Sequence, residues 1–326
     1  MKTKTKHFSS KILSFCALSL VCACLSTGAL AQTKGPAKPP MTSKVKGLLY
    51  EVRLMNQDDA TIEKTNNKAK PPIAYLFASV HIAKKDFHPM SVPVQKAYAQ
   101  ADTIMVEADS NSDSAVQAIA SKLSYSAPDK LEKHVSQAVW GTLKAMAGKS
   151  VDQFQSYTPV MVAMGLSVEV SMQLGFDPTQ SIDLHFINAA KKDNKALIEL
   201  DGLEFQADVL GSLNDDEGNA LLANTLDSFR KGELKSQLQS MNQAWLKADA
   251  NGIEKILLEA GNRDEGSKKI MNSLMDDRNE GIANKIRELM QQGKKAFIVL
   301  NAGHMAGERS IIAQLKQQGL QVKQIR

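Results

Sequence analysis

Three short apolar runs in this chain each end on a side chain that can bind a metal or exchange a proton. The runs cover residues 73–80, 104–106 and 296–300, and the residues that follow them are His81, Glu107 and His304. Short apolar runs bounded by polar turns are typical of buried strands. If the three strands lie side by side in one parallel sheet, their ends bring two imidazoles and a carboxylate to one edge, where open α/β sheets bind their ligands.

The surrounding pattern predicts a central sheet. Residues 48–55 alternate as a strand does, and a long polar loop, 56–72, connects them to the run 73–80. A helix with Pro93 in its first turn follows, and then the strand 103–106. Strand, helix and strand in about 35 residues make a βαβ unit, whose strands are parallel neighbours. We therefore expect an α/β (or α+β) fold with a central, mostly parallel sheet.

Two long helical stretches interrupt the strands. Apolar residues recur at three- and four-residue spacing in residues 114–180 and again in 203–275, as on the buried face of a helix. Between them lies a compact strand, 196–200, that ends on Asp201, and after them the chain returns to strand, helix and strand. We expect the two stretches to be helical insertions in a single domain, 46–326, and to form a cap that supplies the walls of a cleft.

The first 31 residues have the pattern of a secretory signal peptide. Four lysines, an apolar stretch at 12–25 and small residues ending at Ala31 provide its three regions. The apolar stretch is shorter than the roughly 20 residues of a membrane-spanning helix, so we expect cleavage after Ala31, export to the periplasm and no membrane span afterwards. A lipid anchor at Cys24 is the minority alternative. Residues 32–45, rich in lysine and proline, are expected to form a flexible leader.

Cysteine content and charge limit what the mature chain can do. All three cysteines lie within the signal segment, so the exported protein would form no disulfide and would depend on burial and backbone pairing. The segment carries four lysines and no acids, so its removal lowers the formal charge from +5 to +1. A nearly neutral surface argues against a nucleic-acid partner, which requires a clustered basic face.

The strand-end residues suit metal or acid–base chemistry. Neutral imidazoles and carboxylates are ligands of divalent transition metals such as Zn, Mn or Co, which makes His81, His304 and Glu107 candidate metal ligands. Their spacing gives no local motif comparable with HExxH. Asp201 and Asp183 can be ligands, partners of ligands or helix caps, and for Asp183, near a helix start, capping together with the helix dipole is the stronger explanation.

A helix before the last core strands carries Arg278 and Asn279. Arginine can bind a substrate carboxylate or a developing oxyanion through two hydrogen bonds, although most helical arginines are solvated or in surface pairs. The remaining histidines of the mature chain, His88, His134 and His185, follow no comparable strand, and we expect them to be structural.

These residues lie in stretches that resemble the TraB/GumN family, which is related to the Tiki metalloproteases. The stretches are YLFASVHIAKKDFHPMSVPVQKAYAQADTIMVEAD from Tyr75, SIDLHFINAAKKDNKALIELD from Ser181, DRNEGIANKI from Asp277 and VLNAGHMAGERSIIAQLKQQGLQVKQI from Val299. The resemblance extends in this order over most of the mature chain. The resemblance implies a core distantly similar to that of erythromycin esterase.

The family is marked by two GxxH motifs, a glutamate after the strand that follows the first motif, and an Arg-Asn pair before the second. The resemblance assigns these marks to His81, His304, Glu107, Arg278 and Asn279. It implies a metal site formed by the two histidines and the glutamate, as in the metal-dependent peptidases of the Tiki type.

Three positions depart from the family pattern. Ala78 and Asn301 replace the two motif glycines, and Asp201 stands where the family commonly has a glutamate. Alanine requires a negative φ in practice, whereas asparagine tolerates a positive one. The backbone conformation at Ala78 therefore decides whether the loss of the first glycine matters.

The leading hypothesis is an exported metal-dependent hydrolase, most simply a peptidase. His81, His304 and Glu107 would hold Mn, Co or Zn, with Glu107 as third ligand or general base. Arg278 would orient the substrate or stabilise the oxyanion. Asn279 and Asp201 are expected to contact the substrate, which would be a peptide or another small compound with a carbonyl group.

Two other functions fit the same residues. One is a metal-independent, esterase-like hydrolase in which His81 is the general base and Glu107 orients it. The other is a periplasmic protein that binds a peptide in the same cleft without cleaving it.

Overall fold

The computed structural model describes residues 46–55, 73–109 and 113–325. The predicted signal peptide, the alternative lipid anchor at Cys24, the leader and the loop 56–72 lie outside the described residues. One sheet is formed by six strands: β1 (Leu49–Leu54), β2 (Ile73–Ser79), β3 (Thr103–Val106), β4 (Ala196–Glu199), β5 (Ala296–Asn301) and β6 (Leu320–Ile325).

The strands lie in the order β4-β3-β5-β2-β1-β6. The first four of these run parallel, and β1 pairs antiparallel with both β2 and β6. The expected α/β fold with a mostly parallel sheet is confirmed. The expectation that β2 and β3 are direct neighbours is wrong, because β5 from the end of the chain pairs between them.

Helices surround this sheet. They are α1 (Val92–Gln100), α2 (Asp113–Lys122), α3 (Gln137–Ala147), α4 (Pro159–Gln173), α5 (Ile182–Lys192), α6 (Leu203–Gly211), α7 (Asp215–Lys231), α8 (Glu233–Lys247), α9 (Ala250–Gly261), α10 (Glu265–Met271), α11 (Asp277–Gln291) and α12 (Ile311–Gln317). A π-helix, Asn272–Asp276, joins α10 to α11, and a 3-10 helix, Ala302–Met305, follows β5. In the described part of the chain, no helix is both long and apolar enough to span a membrane.

Local sequence explains where several helices begin. The Ser181 side chain accepts a hydrogen bond from the backbone N–H of Leu184 at the start of α5. Asn214 and Glu217 form a capping box at the start of α7. Short polar side chains at these positions satisfy backbone donors that have no partner within the helix.

The main core lies on the two central strands. The side chains of β2 and β5 are almost wholly buried, as expected for parallel strands covered on both faces. Phe77 of β2 and Phe297 of β5 contact Phe186 of α5. Burying a side chain of this size stabilises the fold by roughly 1.5–3 kcal/mol, so these contacts hold the central strands firmly.

Further apolar clusters hold the helices that lie between β3 and β5 in the chain. One cluster joins α2, α4 and α6, and another joins α3, α4 and α7; their fully or almost fully buried members include Leu123, Met161, Ala207, Leu143, Leu166 and Leu222. These helices therefore form a packed body beside the sheet.

Candidate active site

The carboxyl ends of β2, β5 and β3 lie side by side. In the sheet register Ser79 pairs with Asn301, and Val106 pairs with Val299. Glu107, the residue after β3, therefore reaches the end of β5. There its Oε1 accepts a hydrogen bond of 2.5 Å from the backbone N–H of Asn301. Topology thus joins two positions that are 194 residues apart.

Glu107 is the buried carboxylate of this edge. Its Oε2 also accepts a hydrogen bond of 3.3 Å from Nε2 of Gln206, which lies on α6. Burial raises the pKa of Glu107, but the neighbouring His304, His81 and Arg278 outweigh burial and hold this pKa well below its usual range. The carboxylate is therefore ionised at neutral pH.

His304 is fully buried and held by one amide. Its Nδ1 lies 2.7 Å from Oδ1 of Asn279, and Nδ2 of Asn279 donates to the carbonyl of Arg309 at 2.9 Å. Since an amide oxygen can only accept, Nδ1 of His304 carries a proton. When the ring carries only this proton, Nε2 has a free lone pair; in the doubly protonated ring, which is the form whose charge lowers the pKa of Glu107, an Nε2 proton faces the carboxylate instead. This nitrogen is buried, has no hydrogen-bond partner among the described residues, and lies 3.7 Å from Oε1 of Glu107.

His81 is half-buried and paired with Asp183. Its Nδ1 lies 3.0 Å from Oδ2 of Asp183. Burial lowers the pKa of His81, but the charge and hydrogen bond of Asp183, together with the charge of Glu107, raise it to about 9. Asp183 lies in the first turn of α5, as the helix-dipole explanation expects, but it is not the capping residue. Ser181 is the cap of α5, and Asp183 orients His81.

Arg278, at the start of α11, lies between three oxygen atoms. Its Nε and Nη2 both donate to Oδ2 of Asp201, the Nε bond being 3.0 Å long. Its Nη1 donates to the carbonyl of Leu274 at 2.6 Å, and Nη2 lies 3.9 Å from Oε2 of Glu107. The π-helix provides the Leu274 carbonyl. Because these contacts hold the guanidinium on several sides, its position beside Glu107 is fixed.

A cavity of about 300 Å³ opens above these residues. His81, Glu107, Gln206, Arg278 and Asn301 line its floor. Side chains of α4, α7, α10 and the π-helix, together with Leu210 of α6, line the rest. The cavity therefore has the polar groups of the strand ends on one side and the packed helices on the other.

Two of the predicted substrate contacts have other partners in the structure. Asn279 is fully buried and bonds to His304 and Arg309, so the geometry makes it a positioning residue for His304. Asp201 holds Arg278. A direct contact of either residue with a substrate stays a prediction.

The side chains present can be tested for their fit to a divalent metal. His304 offers an unpartnered lone pair beside an ionised carboxylate, and the Asn279–His304 and Asp183–His81 bonds resemble those that orient metal-binding histidines in general. The chemistry of the donor set therefore fits. Across the described residues, however, no three His, Cys, Asp or Glu side chains are arranged as a group that could hold a metal ion. His81 lines the same cavity as Glu107 without completing such a group.

The two positions that depart from the GxxH pattern tolerate their side chains. Ala78 is not among the described non-glycine residues with positive φ. It lies within β2, where its backbone N–H donates to Leu48 and its carbonyl accepts from the indole of Trp245. Asn301 has a φ of −50°, and its side chain accepts from the backbone N–H of Gly303. Neither replacement therefore introduces backbone strain.

Sequence reasoning did not find Gln206. This residue contacts Glu107 from inside a helical stretch, where one polar position among many carries no distinguishing pattern. The histidines expected to be structural have contacts away from Glu107: His88 and His185 pack ring against ring, and His134 bonds to Asp129 and Asp215.

The chain is similar to proteins of one known family. The model of the TraB/PrgY/gumN family matches residues 61–324. A protein of Shigella flexneri named "Uncharacterized protein YbaP" is 29% identical over 250 residues, which are 74% of this chain and 88% of the relative. The protein of the same name from Escherichia coli strain K12 is 29% identical over 249 residues, 74% of this chain and 87% of the relative. No solved structure matches the chain significantly.

Proposed function

This chain belongs to the TraB/PrgY/gumN family, and on that premise we propose that it is an exported, metal-dependent hydrolase that cleaves peptide bonds. One observation carries the proposal. A buried imidazole nitrogen of His304, with no hydrogen-bond partner among the described residues, faces the ionised carboxylate of Glu107 at 3.7 Å. Burying a polar atom without a partner costs free energy, and such exceptions call for an explanation such as an ion.

In this proposal His304, Glu107 and His81 would hold the metal, and binding would have to draw His81 toward the other two, since the described side chains do not form a three-residue group by themselves. When bound, a divalent transition metal supplies a Lewis acid that polarises a carbonyl group and activates water. Asn279 presents Nε2 of His304 to the site, because its Oδ1 accepts a hydrogen bond from Nδ1–H of the ring. Asp183 accepts a hydrogen bond from Nδ1 of His81 in the same way; because the pKa of His81 is raised to about 9, metal binding there would displace the proton from Nε2.

The chain's own residues provide the rest of the chemistry. Glu107 is ionised and has one oxygen toward His304 and the other toward Arg278, so it can bind the metal or accept a proton from the attacking water. Arg278 places a fixed cation on the same cavity. A fixed cation stabilises the negative charge that develops on a carbonyl oxygen during attack.

Peptide hydrolysis with and without chelator tests the proposal. Purified protein is incubated with a mixture of peptides, and products are identified by mass spectrometry before EDTA treatment, after it, and after addition of Mn, Co or Zn. We expect cleavage that EDTA abolishes and one of the metals restores. Glu107→Gln should abolish cleavage, whereas Glu204→Gln, at a side chain 75% exposed on the nearby α6, should not. Cleavage that survives EDTA would contradict the proposal.

The Asp183–His81 pair supports a second candidate, a hydrolase that uses no metal. A histidine with one ring nitrogen on a carboxylate and the other toward a cavity is the arrangement of a general base and its orienting acid. In the structure Asp183, not Glu107, is in the orienting position. Two results together would select this candidate: cleavage would continue in EDTA, and Asp183→Ala and His81→Ala would each abolish it.

A further inference from the structure

The cavity above Glu107 has two chemically different sides. Its floor at the strand ends carries the ionisable and amide groups already described. The residues that α4, α7, α10 and the π-helix place around it are apolar except for Ser167 and Thr225. The apolar ones include Val160, Ala163, Leu221, Ile270 and Met275.

The two hydroxyl groups on the helical side are already bonded. Ser167 Oγ donates to the carbonyl of Ala163 at 3.2 Å, and Thr225 Oγ1 donates to the carbonyl of Leu221 at 2.8 Å. Each bond is within one helix, four residues back. Since the hydroxyl hydrogens are used there, the helical side offers a ligand carbon surfaces and no charge.

The dimensions suit a small group. About 300 Å³ is at the lower end of the range for ligand pockets. Met164 and Met275 are part of the wall, and methionine side chains adapt to differently shaped aliphatic groups. A charged or strongly polar group placed here would lose its hydration without gaining partners.

We infer that this cavity is a specificity pocket for the aliphatic side chain of a peptide residue next to the cleaved bond. The inference rests on the proposed hydrolase function, because Glu107 and Arg278, to which that function assigns the chemistry, line the same cavity as the apolar wall. Leucine and methionine are the preferred residues. Aspartate and lysine are rejected, since the wall neither pairs nor hydrates their charges.

Two pocket variants with opposite volume changes test the inference. Ala163→Leu adds carbon atoms inside the pocket and Leu221→Ala removes them. The control is Ala138→Leu, at an exposed position on α3. The probes are peptides Ac-Gly-Gly-Xaa-Ala-Gly-Gly-NH2 in which Xaa is Ala, Leu, Met, Phe, Asp or Lys. Both kcat/KM and, with the Glu107→Gln protein, the Kd from calorimetry are measured.

The wild-type protein should cleave the Leu peptide with a kcat/KM about 10–200-fold above that of the Ala peptide. Ala163→Leu should reverse this preference, Leu221→Ala should shift it toward Phe, and the control should change nothing. Damage to the fold would lower kcat/KM for all peptides equally. A preference that neither variant shifts overturns the inference.

Failure of the inference and failure of the proposed function remain distinguishable. Cleavage of all six peptides at equal rates would overturn the pocket assignment and keep the hydrolase. A second result would keep the pocket and overturn the hydrolase. The wild type would cleave no peptide, while the Glu107→Gln protein would bind the Leu peptide and lose affinity for it when Ala163→Leu is added.

Discussion

Nε2 of His304 lies 3.7 Å from Oε1 of Glu107, a separation too long for a hydrogen bond, and is buried behind Glu107, which lines the cavity. Glu107 directly follows β3, and His304 lies in the 3-10 helix that follows the neighbouring parallel strand β5. A buried polar atom without a partner calls for an explanation, and the one that we propose is a divalent metal that His304 and Glu107 would help to hold.

The first prediction concerns the residue that orients His304. Replacing Asn279 with leucine removes the acceptor for the Nδ1 proton, so the ring should lose its fixed direction. Loss of an orienting partner typically weakens metal affinity by about 10–100-fold, and we expect this effect in a titration with Zn or Mn. Asn284→Ala, which removes an exposed amide of the same helix that bonds to Gln318, is the control. Unchanged affinity in the Asn279 variant would count against the role of this amide.

The second prediction concerns the charge beside His81. In Asp183→Asn the ring keeps a side chain to bond with but loses the carboxylate charge, so its pKa should fall from about 9 toward the ordinary value of roughly 6.5. NMR titration of the metal-free protein measures this change. Asp193→Asn, at the other end of α5, should leave the pKa of His81 where it is. A raised pKa that persists without the Asp183 carboxylate would show that another group causes it.

The third prediction uses a histidine away from the cavity. His134 Nδ1 lies 2.8 Å from Asp215 and Nε2 lies 2.9 Å from Asp129. Burial lowers the pKa of His134, but these carboxylates raise it overall. Because the folded-state pKa exceeds the unfolded one, the stabilisation is complete below about pH 6.5 and is lost as pH rises through the folded-state pKa.

Urea denaturation measures this effect. His134→Gln should lower the free energy of unfolding by about 0.5–1 kcal/mol near pH 6, as expected for a partly exposed ion pair, and by much less near pH 9. An equal loss at both pH values would mean that packing on Tyr125, whose ring stacks on that of His134, matters more than the charge.

The fourth prediction concerns the start of the mature protein. If the expected signal peptide is cleaved after Ala31, protein isolated from the periplasm should begin at Gln32, and mass spectrometry of the intact chain would show this. A first residue Cys24 carrying a lipid would instead establish the alternative anchor. A chain that keeps residues 1–31 in the cytoplasm would refute export.

The strand ends could be predicted from the sequence because a buried parallel strand has a recognisable local composition. Residues 73–80 and 296–300 are continuous apolar runs because β2 and β5 are covered on both faces. Parallel pairing then makes the convergence of His81, Glu107 and His304 predictable. The order of the strands could not be predicted in the same way, since the insertion of β5 between β2 and β3 depends on pairing between residues that are far apart in the chain.

The contacts around the site could be predicted less well than the site residues. Asp183 has the pattern of a helix-start residue, and only the three-dimensional placement of α5 beside β2 reveals His81 as its partner. Gln206 reaches Glu107 from α6, and no periodicity marks one glutamine in a helical stretch. Such second contacts depend on the packing of whole helices, which a sequence pattern does not encode position by position.

Metal analysis of the purified protein tests the central claim most directly. The mature wild-type chain and its His304→Ala and His185→Ala variants are loaded with Mn, Co or Zn, separated from free ions, and measured by mass spectrometry of the elements, with circular dichroism as the check of folding. We expect about one metal ion per chain in the wild type and in His185→Ala, whose ring contacts lie away from Glu107, and loss of the metal in folded His304→Ala. Equal metal content in folded His304→Ala and wild type would contradict the account.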